Sequence, residues 1–286
     1  MIGLGLIGGS VARDLAAMGV RVLAYDRDAA TIEMARVEGV VHEPLDASLA
    51  GLHDADVVIV AVPVSSLRDV LAAAPRSGRA RLITDVGSTK RSAIETAETL
   101  GIGERFVGSH PMAGDHLSGW PASRRGLFAG ARVYLCRAKH THEEALMLAH
   151  ELWRVLGACP EMIDADAHDH LLAYASHLPQ AASTALALAL DDAGVSRARL
   201  GPGGRDTTRL AGGSVDMWTA IARDNADALL PAIAALETQL RRLSAALARG
   251  DDGELRAIFS AARTWSIRDG SDVDIRTTPK IPQQGG

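Results

Sequence analysis

The chain has 286 residues, 47% of them apolar and 23% charged, which excludes intrinsic disorder and fits one or two globular domains. Thirty basic against 35 acidic side chains leave a net charge of −5, which gives no reason to expect nucleic acid or an anionic membrane as partner. Cys136 and Cys159 form neither a metal-type pair nor a disulfide framework, so a reducing cytoplasm is the expected setting.

The chain opens on Gly3, Gly5 and Gly8, a G-x-G-x-x-G pattern with no signal peptide ahead of it. The first glycine suits a tight turn, the second the close approach of a pyrophosphate, the third helix-on-strand packing. Leu6 and Ile7 then offer N–H groups at a helix N-terminus, where the pyrophosphate would sit. A helix follows at Ser10–Met18 and a strand at Val22–Tyr25, ending in Asp26, 18 residues after Gly8. An acid at that distance meets the ribose hydroxyls of a dinucleotide. Asp26 favours NAD over NADP, because a carboxylate repels a 2′-phosphate. Arg27 beside it reads either as a partner for such a phosphate or as a solvated surface charge. One feature fits poorly. Only Met1 and Ile2 precede Gly3, so the central strand should be nearly absent, with impaired folding or weak cofactor binding unless chain lies upstream.

Helix-period segments at Ala29–Glu38, Ser65–Ala74 and Ser88–Leu100 alternate with strands at Asp56–Val62 and Arg81–Thr84, and Arg105–Ser109 and Arg132–Cys136 read as further strands. This alternation predicts a doubly wound parallel sheet, covered on both faces. Ligands of such sheets lie at the carboxyl ends of strands, so Val62 and Pro63 are expected to border the cofactor, although Pro63 reads equally well as a plain strand stop. Ser88 reads as a helix N-cap or as a group facing the crevice. His110, in the run Gly108-Ser-His-Pro-Met-Ala-Gly114, sits at another strand end, where an imidazole can accept an alcohol proton near neutral pH.

From Ala165 onward the strand signal disappears. One helix over Ala167–Leu190 is expected, kinked at Pro179. Its apolar stretch Ala181–Leu190 is too short to span a bilayer. A Gly-rich loop covers 194–213, followed by one or two helices over Asp216–Arg249 with Gly250 as C-cap, and a last helix over Glu254–Arg268. The domains are thus expected at 1–165 and 166–268, with a disordered tail at 269–286. His170 and His177 are seven apart, hence on one helix face, but no ligand spacing supports a metal. Arg205 and Arg209 suit carboxylate binding, unless one pairs with Asp206. Long Ala/Leu-rich helices after residue 165 expose more apolar face than one sheet can cover, so a homodimer is expected.

Taken together, Gly-Leu-Gly-Leu-Ile-Gly-Gly-Ser (3–10), Asp-Val-Gly-Ser-Thr-Lys (85–90), Gly-Ser-His-Pro-Met-Ala-Gly (108–114), Ser-His-Leu-Pro-Gln (176–180), Arg-Asp-Thr-Thr-Arg (205–209) and Trp218 resemble the prephenate/arogenate dehydrogenase family of tyrosine biosynthesis. The resemblance spans about residues 1–265 and implies a Rossmann domain followed by an all-helical dimerisation domain. It implies NAD-linked oxidative decarboxylation of prephenate, or of arogenate. By motif, His110 would bind the ring 4-hydroxyl and assist its deprotonation, and Ser88 would contact His110 or that hydroxyl. His177 would shape the substrate site, Arg209 would bind a substrate carboxylate, and Trp218 would belong to the site wall or the dimer interface. The chain departs from the pattern at His116, where several members carry an acid; His116 offers a contact to a substrate carboxylate instead. A β-hydroxyacid dehydrogenase is disfavoured, since that family's lysine has no counterpart in 165–200. A non-catalytic dinucleotide sensor would leave His110, Ser88, His177 and Arg209 as coincidences.

Overall fold

The computed structural model describes residues 1–73, 78–114 and 117–268. Helix α1 (Leu6–Ala17) leads into β1 (Leu23–Ala24), α2 (Ala29–Val37), β2 (Glu43–Pro44), β3 (Val57–Val60) and α3 (Val64–Ala73). Then come β4 (Leu82–Asp85), α4 (Arg91–Thr99), β5 (Phe106–Pro111), β6 (Arg132–Arg137), α5 (Glu143–Val155) and β7 (Cys159–Met162). Strands β3-β4-β5-β6-β7 form one sheet, parallel except for the β5–β6 pair, and β1 pairs with β2. Ile2 bridges the two groups through Tyr25 and Val60. The nearly absent central strand is therefore a short but fully paired one. Ile2 N–H donates to Ile59 O, Gly3 N–H to Tyr25 O and Ala61 N–H to Ile2 O, at 2.7–2.8 Å.

Alternation along the strands sorts the core into two faces. Ile59, Leu82, Val107 and Leu135 join Val11 and Ala12 of α1 and Trp153 of α5. Val58, Val60, Ile83, Phe106 and Cys136 join Leu67 and Leu71 of α3 and Ile94 of α4. Neither β2 nor β7 is expected from the sequence pattern. Both lie at sheet edges and carry a proline, Pro44 and Pro160, which an edge tolerates and which hides the strand pattern.

The expected single helix over Ala167–Leu190 is three pieces: α6 (Ala165–Leu172), one turn of π-helix (Ala173–His177) and α7 (Leu178–Asp192). Pro179 cannot donate to the Ala175 carbonyl, and the widened turn before it takes up that mismatch. The Gly-rich loop contains a short helix, α8 (Pro202–Thr207), started by Pro202. Asn225 separates α9 (Val215–Asp224) from α10 (Ala226–Arg249), Gly250 ends α10 with φ +61°, and α11 (Asp252–Ser266) follows. Compact units run Met1–Ala232 and from Ile233 onward, so residue 165 falls inside the first. No helix among the described residues is long and apolar enough to cross a membrane. The tail at 269–286, expected to be disordered, lies outside the described residues.

Candidate active site

The glycine loop is built for a close-packed ligand. Gly3 has φ +89°, and a Cβ there would stand 2.3 Å from Ala61 O and 3.3 Å from Val62 Cγ1. A Cβ on Gly8 would stand 2.1 Å from Gly3 O, whereas a Cβ on Gly5 would meet nothing within 4 Å. The first and third glycines thus let backbone meet backbone, and the second leaves a gap open. Gly5 is also the N-cap of α1 and supplies no side-chain cap, so the first N–H groups of the helix remain for a ligand. Asp26, at the end of β1, accepts from Leu4 N–H at 2.7 Å and from Asp28 N–H at 2.9 Å. This ties the acid to the glycine loop. Val62 packs on Gly3, and Pro63 ends the same turn and leads into α3. Arg27 is exposed and joins none of these bonds. An open cradle, uncapped N–H groups and a tethered acid together fit a dinucleotide.

The second part of the site stands at the carboxyl ends of β4 and β5. His110 is the penultimate residue of β5 and is partly buried. The residue before it is locked on three sides. Ser109 Oγ bonds Thr84 Oγ1 at 2.8 Å and accepts from Trp153 Nε1 at 2.9 Å, while Ser109 O accepts from Lys90 Nζ at 2.9 Å. Lys90 also pairs with Asp85, and both are fully buried. Ser88 does not start a helix as expected: α4 begins at Arg91. The cap comes from elsewhere, since the Asp169 carboxylate accepts the N–H groups of Lys90 at 2.8 Å and Arg91 at 3.0 Å. Ser88 lies partly buried in the turn between β4 and α4. Its neighbour Thr89 holds a buried hydroxyl with no partner among the described residues, the kind of orphan a bound group satisfies.

Helix α6 brings the partner of His110. His110 Nδ1 lies 2.9 Å from His168 Nε2, and His168 Nδ1 lies 2.7 Å from Asp169 Oδ1. The ring of Tyr134 covers His168 edge-on, with centroids 5.5 Å apart. Asn225 closes the cluster: Oδ1 accepts from Arg91 Nη2 at 2.8 Å, and Nδ2 donates to the Asp169 carbonyl at 2.8 Å. Both bonds fix the amide orientation, so Nδ2 also donates to His177 Nδ1 at 3.1 Å. A neutral His177 therefore carries its proton on Nε2. Burial pushes His177 down to about 4 and His168 below its ordinary value. Burial, reinforced by the nearby Lys90 ammonium, holds His110 well below the usual histidine range.

His170, paired with His177 by its seven-residue spacing, is exposed beside Tyr174. The π turn breaks the α-helical register on which that spacing depends. Trp218 stands edge-on to His177 at 6.1 Å, and its indole fills the space a Cβ on Gly213 would take. Arg205, Asp206 and Arg209 are exposed. Among the described residues no ion pair joins them, and no contact brings Arg209 to the histidines. His116 lies outside the described residues. Lys90, His168, Asp169 and Asn225 are site residues that the sequence pattern does not single out. The adjacent pair His168-Asp169 and the Asp85…Lys90 spacing are the signals that could have found them. Among the described residues no group of three metal-ligating side chains is placed to hold an ion.

Comparison with known proteins agrees with this geometry. Residues 11–161 match the family described as prephenate dehydrogenase, nucleotide-binding domain, and residues 164–261 the family described as prephenate dehydrogenase, dimerization domain. The chain is 33% identical to the cyclohexadienyl dehydrogenase of Zymomonas mobilis, over 96% of this chain and 97% of that one. It is 28% identical to prephenate dehydrogenase from Aquifex aeolicus, solved in complex with hydroxyphenyl propionate and NAD+, with a TM-score of 0.83 over 94% of this chain and 96% of that one. It is also 28% identical to the crystal structure of Synechocystis arogenate dehydrogenase, with a TM-score of 0.76 over 93% and 97% of the two chains.

Proposed function

The chain belongs to the prephenate dehydrogenase family, and from that premise we propose that it oxidises and decarboxylates prephenate to 4-hydroxyphenylpyruvate, with hydride transfer to NAD. The observation that carries the reading is His110, held at the carboxyl end of β5, on a sheet that also carries a glycine cradle fit for a dinucleotide. Depressed by burial, its ring is neutral at pH 7 and able to accept the proton of the ring 4-hydroxyl. The carbinol carbon gives up hydride as that proton leaves, the ring carboxylate departs as carbon dioxide, and aromatisation drives the loss. When bound, NAD supplies the hydride acceptor. Such chemistry needs orientation, one base and a cationic anchor.

The other residues take roles around this step. Gly3, Gly5 and Gly8, with the N–H groups of Leu6 and Ile7, hold the pyrophosphate; Val62 and Pro63 border it. Asp26 takes the ribose hydroxyls, which favours NAD, and Arg27 stays in solvent. Ser88 orients His110 or the substrate hydroxyl from the adjacent turn. His177 offers its Nε2–H to a polar group of the substrate, beside the wall formed by Trp218. Arg209 and His116 are the candidate partners of substrate carboxylates. Residues 166–268 form the dimerisation domain of a homodimer, a reading supported by exposed Leu240 and Leu247 on α10 and Phe259 and Trp265 on α11.

The test is reduced-cofactor formation by the purified chain, crossing prephenate or arogenate with NAD or NADP. Turnover of prephenate with NAD supports the whole reading. The likeness to arogenate dehydrogenase supports a second reading, in which only arogenate is turned over, to tyrosine. Silence in all four combinations overturns both.

A further inference from the structure

Building on the reading of His110 as the base, we propose that His168 and Asp169 are positioning residues that fix its tautomer, keeping the proton on Nδ1 and leaving Nε2 as the lone pair that meets the substrate. The direction of the chain follows from its ionised end. The Asp169 carboxylate accepts the backbone N–H groups of Lys90 and Arg91 and the Nε–H of Arg91, at 2.8, 3.0 and 3.2 Å. A carboxylate that satisfies three donors is itself an acceptor only. His168 Nδ1, 2.7 Å from Oδ1 of that carboxylate, must therefore carry a proton. His168 is fully buried and held neutral, so its other nitrogen, Nε2, is a lone pair. That lone pair faces His110 Nδ1 at 2.9 Å, and a bond there requires the proton on His110. Nε2 of His110 is left unprotonated, and it takes no hydrogen bond from the described residues.

The consequence is chemical. A histidine free in water prefers its proton on Nε2, the tautomer that would present a donor where the reaction needs an acceptor. When the 4-hydroxyl proton moves to Nε2, the new imidazolium keeps its Nδ1–H on His168, and the Nδ1–H of His168 stays on the Asp169 carboxylate. The positive charge is met by an oriented chain that ends on an anion. No proton leaves the chain in the step, and the electron pair departs with the hydride. Lys90 and His177 face His110 as well, and Lys90, Asp85 and Tyr134 face His168. Lys90 is already paired with Asp85, and neither Lys90 nor His177 offers His110 Nδ1 an acceptor at hydrogen-bond distance.

The test compares His168→Leu with His168→Gln, whose side-chain carbonyl reaches towards the place of the imidazole Nε2 and can accept from His110. It uses the full chain with prephenate and NAD. His168→Leu is expected to lower kcat about 100-fold, with the Kd for NAD within twofold of the parent. His168→Gln is expected to recover at least about tenfold of that loss, and the pH profile of kcat is expected to shift for Leu but not for Gln. Nitrogen-15 NMR of the His110 ring reads the tautomer directly: proton on Nδ1 in the parent and in His168→Gln, on Nε2 in His168→Leu. A His168→Leu chain that binds NAD and keeps kcat within about threefold overturns the proposal, and so does a parent His110 protonated on Nε2. The parent spectrum decides even where the leucine variant fails to fold. Full activity in His110→Asn is a different result, since it overturns the base assignment itself.

Discussion

The sheet and the helices after residue 165 contribute to the site in opposite ways. The sheet side places its groups by topology: Asp26, Val62 and Ser88 follow strand ends, and His110 stands in the last two residues of β5. That is where such sheets bind ligands. The helical side places its groups by an irregularity. Nine residues of ideal α-helix make about two and a half turns and would set His168 and His177 on opposite faces. The π turn at Ala173–His177 changes that register, and Asn225 then joins His177 to the Asp169 carbonyl, next to His168, in one buried cluster. A regular scaffold advertises its site in the sequence, whereas a helical site can depend on a single widened turn.

Each side can be broken separately. The largest effect is expected on the sheet side, at the buried Lys90–Asp85 pair. Lys90→Met leaves Asp85 without its cation and should cost about 3–5 kcal/mol in urea unfolding. A cost below about 1 kcal/mol would mean that the pair does not tie β4 to β5.

The helical side should show itself in the pH dependence of stability. His177 is held near 4 in the folded chain against an ordinary value of 6.5. Below 6.5 the unfolded chain binds a proton that the folded chain refuses, so stability falls as pH drops from 6.5 towards about 4. That depression is worth about 3 kcal/mol, and His177→Asn should flatten the slope of Tm in that window. An unchanged slope would place the acid sensitivity elsewhere. His110 and His168, also depressed, add slope of the same sign.

The smallest effect is expected at Asp26. Asp26→Ser should reduce the preference for NAD over NADP by about tenfold, about 1.4 kcal/mol, read as the ratio of kcat/KM for the two cofactors. A ratio that does not move would locate the discrimination outside this acid.

Most of the sheet is legible because its signals are local: glycines at fixed offsets, an acid at a strand end, a histidine before Pro111. The edge strands β2 and β7 are not, because Pro44 and Pro160 interrupt their pattern and little apolar surface is buried there. Within the site, His110 can be read from its place in the chain, but its partners cannot. Asp169 caps α4 from another helix, 79 residues beyond Lys90, and no local pattern encodes that. His170 drew notice by its spacing to His177, yet it is the exposed neighbour of the residue that matters, His168. Arg209 is exposed and lies outside the buried cluster, so its part in binding a carboxylate rests on its chemistry and on the resemblance.

If His110 takes the substrate proton, His110→Asn should remove the base and little else. Asparagine keeps polarity and approximate size but cannot act as a base. Steady-state turnover of prephenate with NAD is predicted to fall about 10²- to 10⁴-fold in kcat, with the Kd for NAD unchanged. A His110→Asn chain that folds, binds NAD and retains kcat within about threefold of the parent would mean that another group takes the proton.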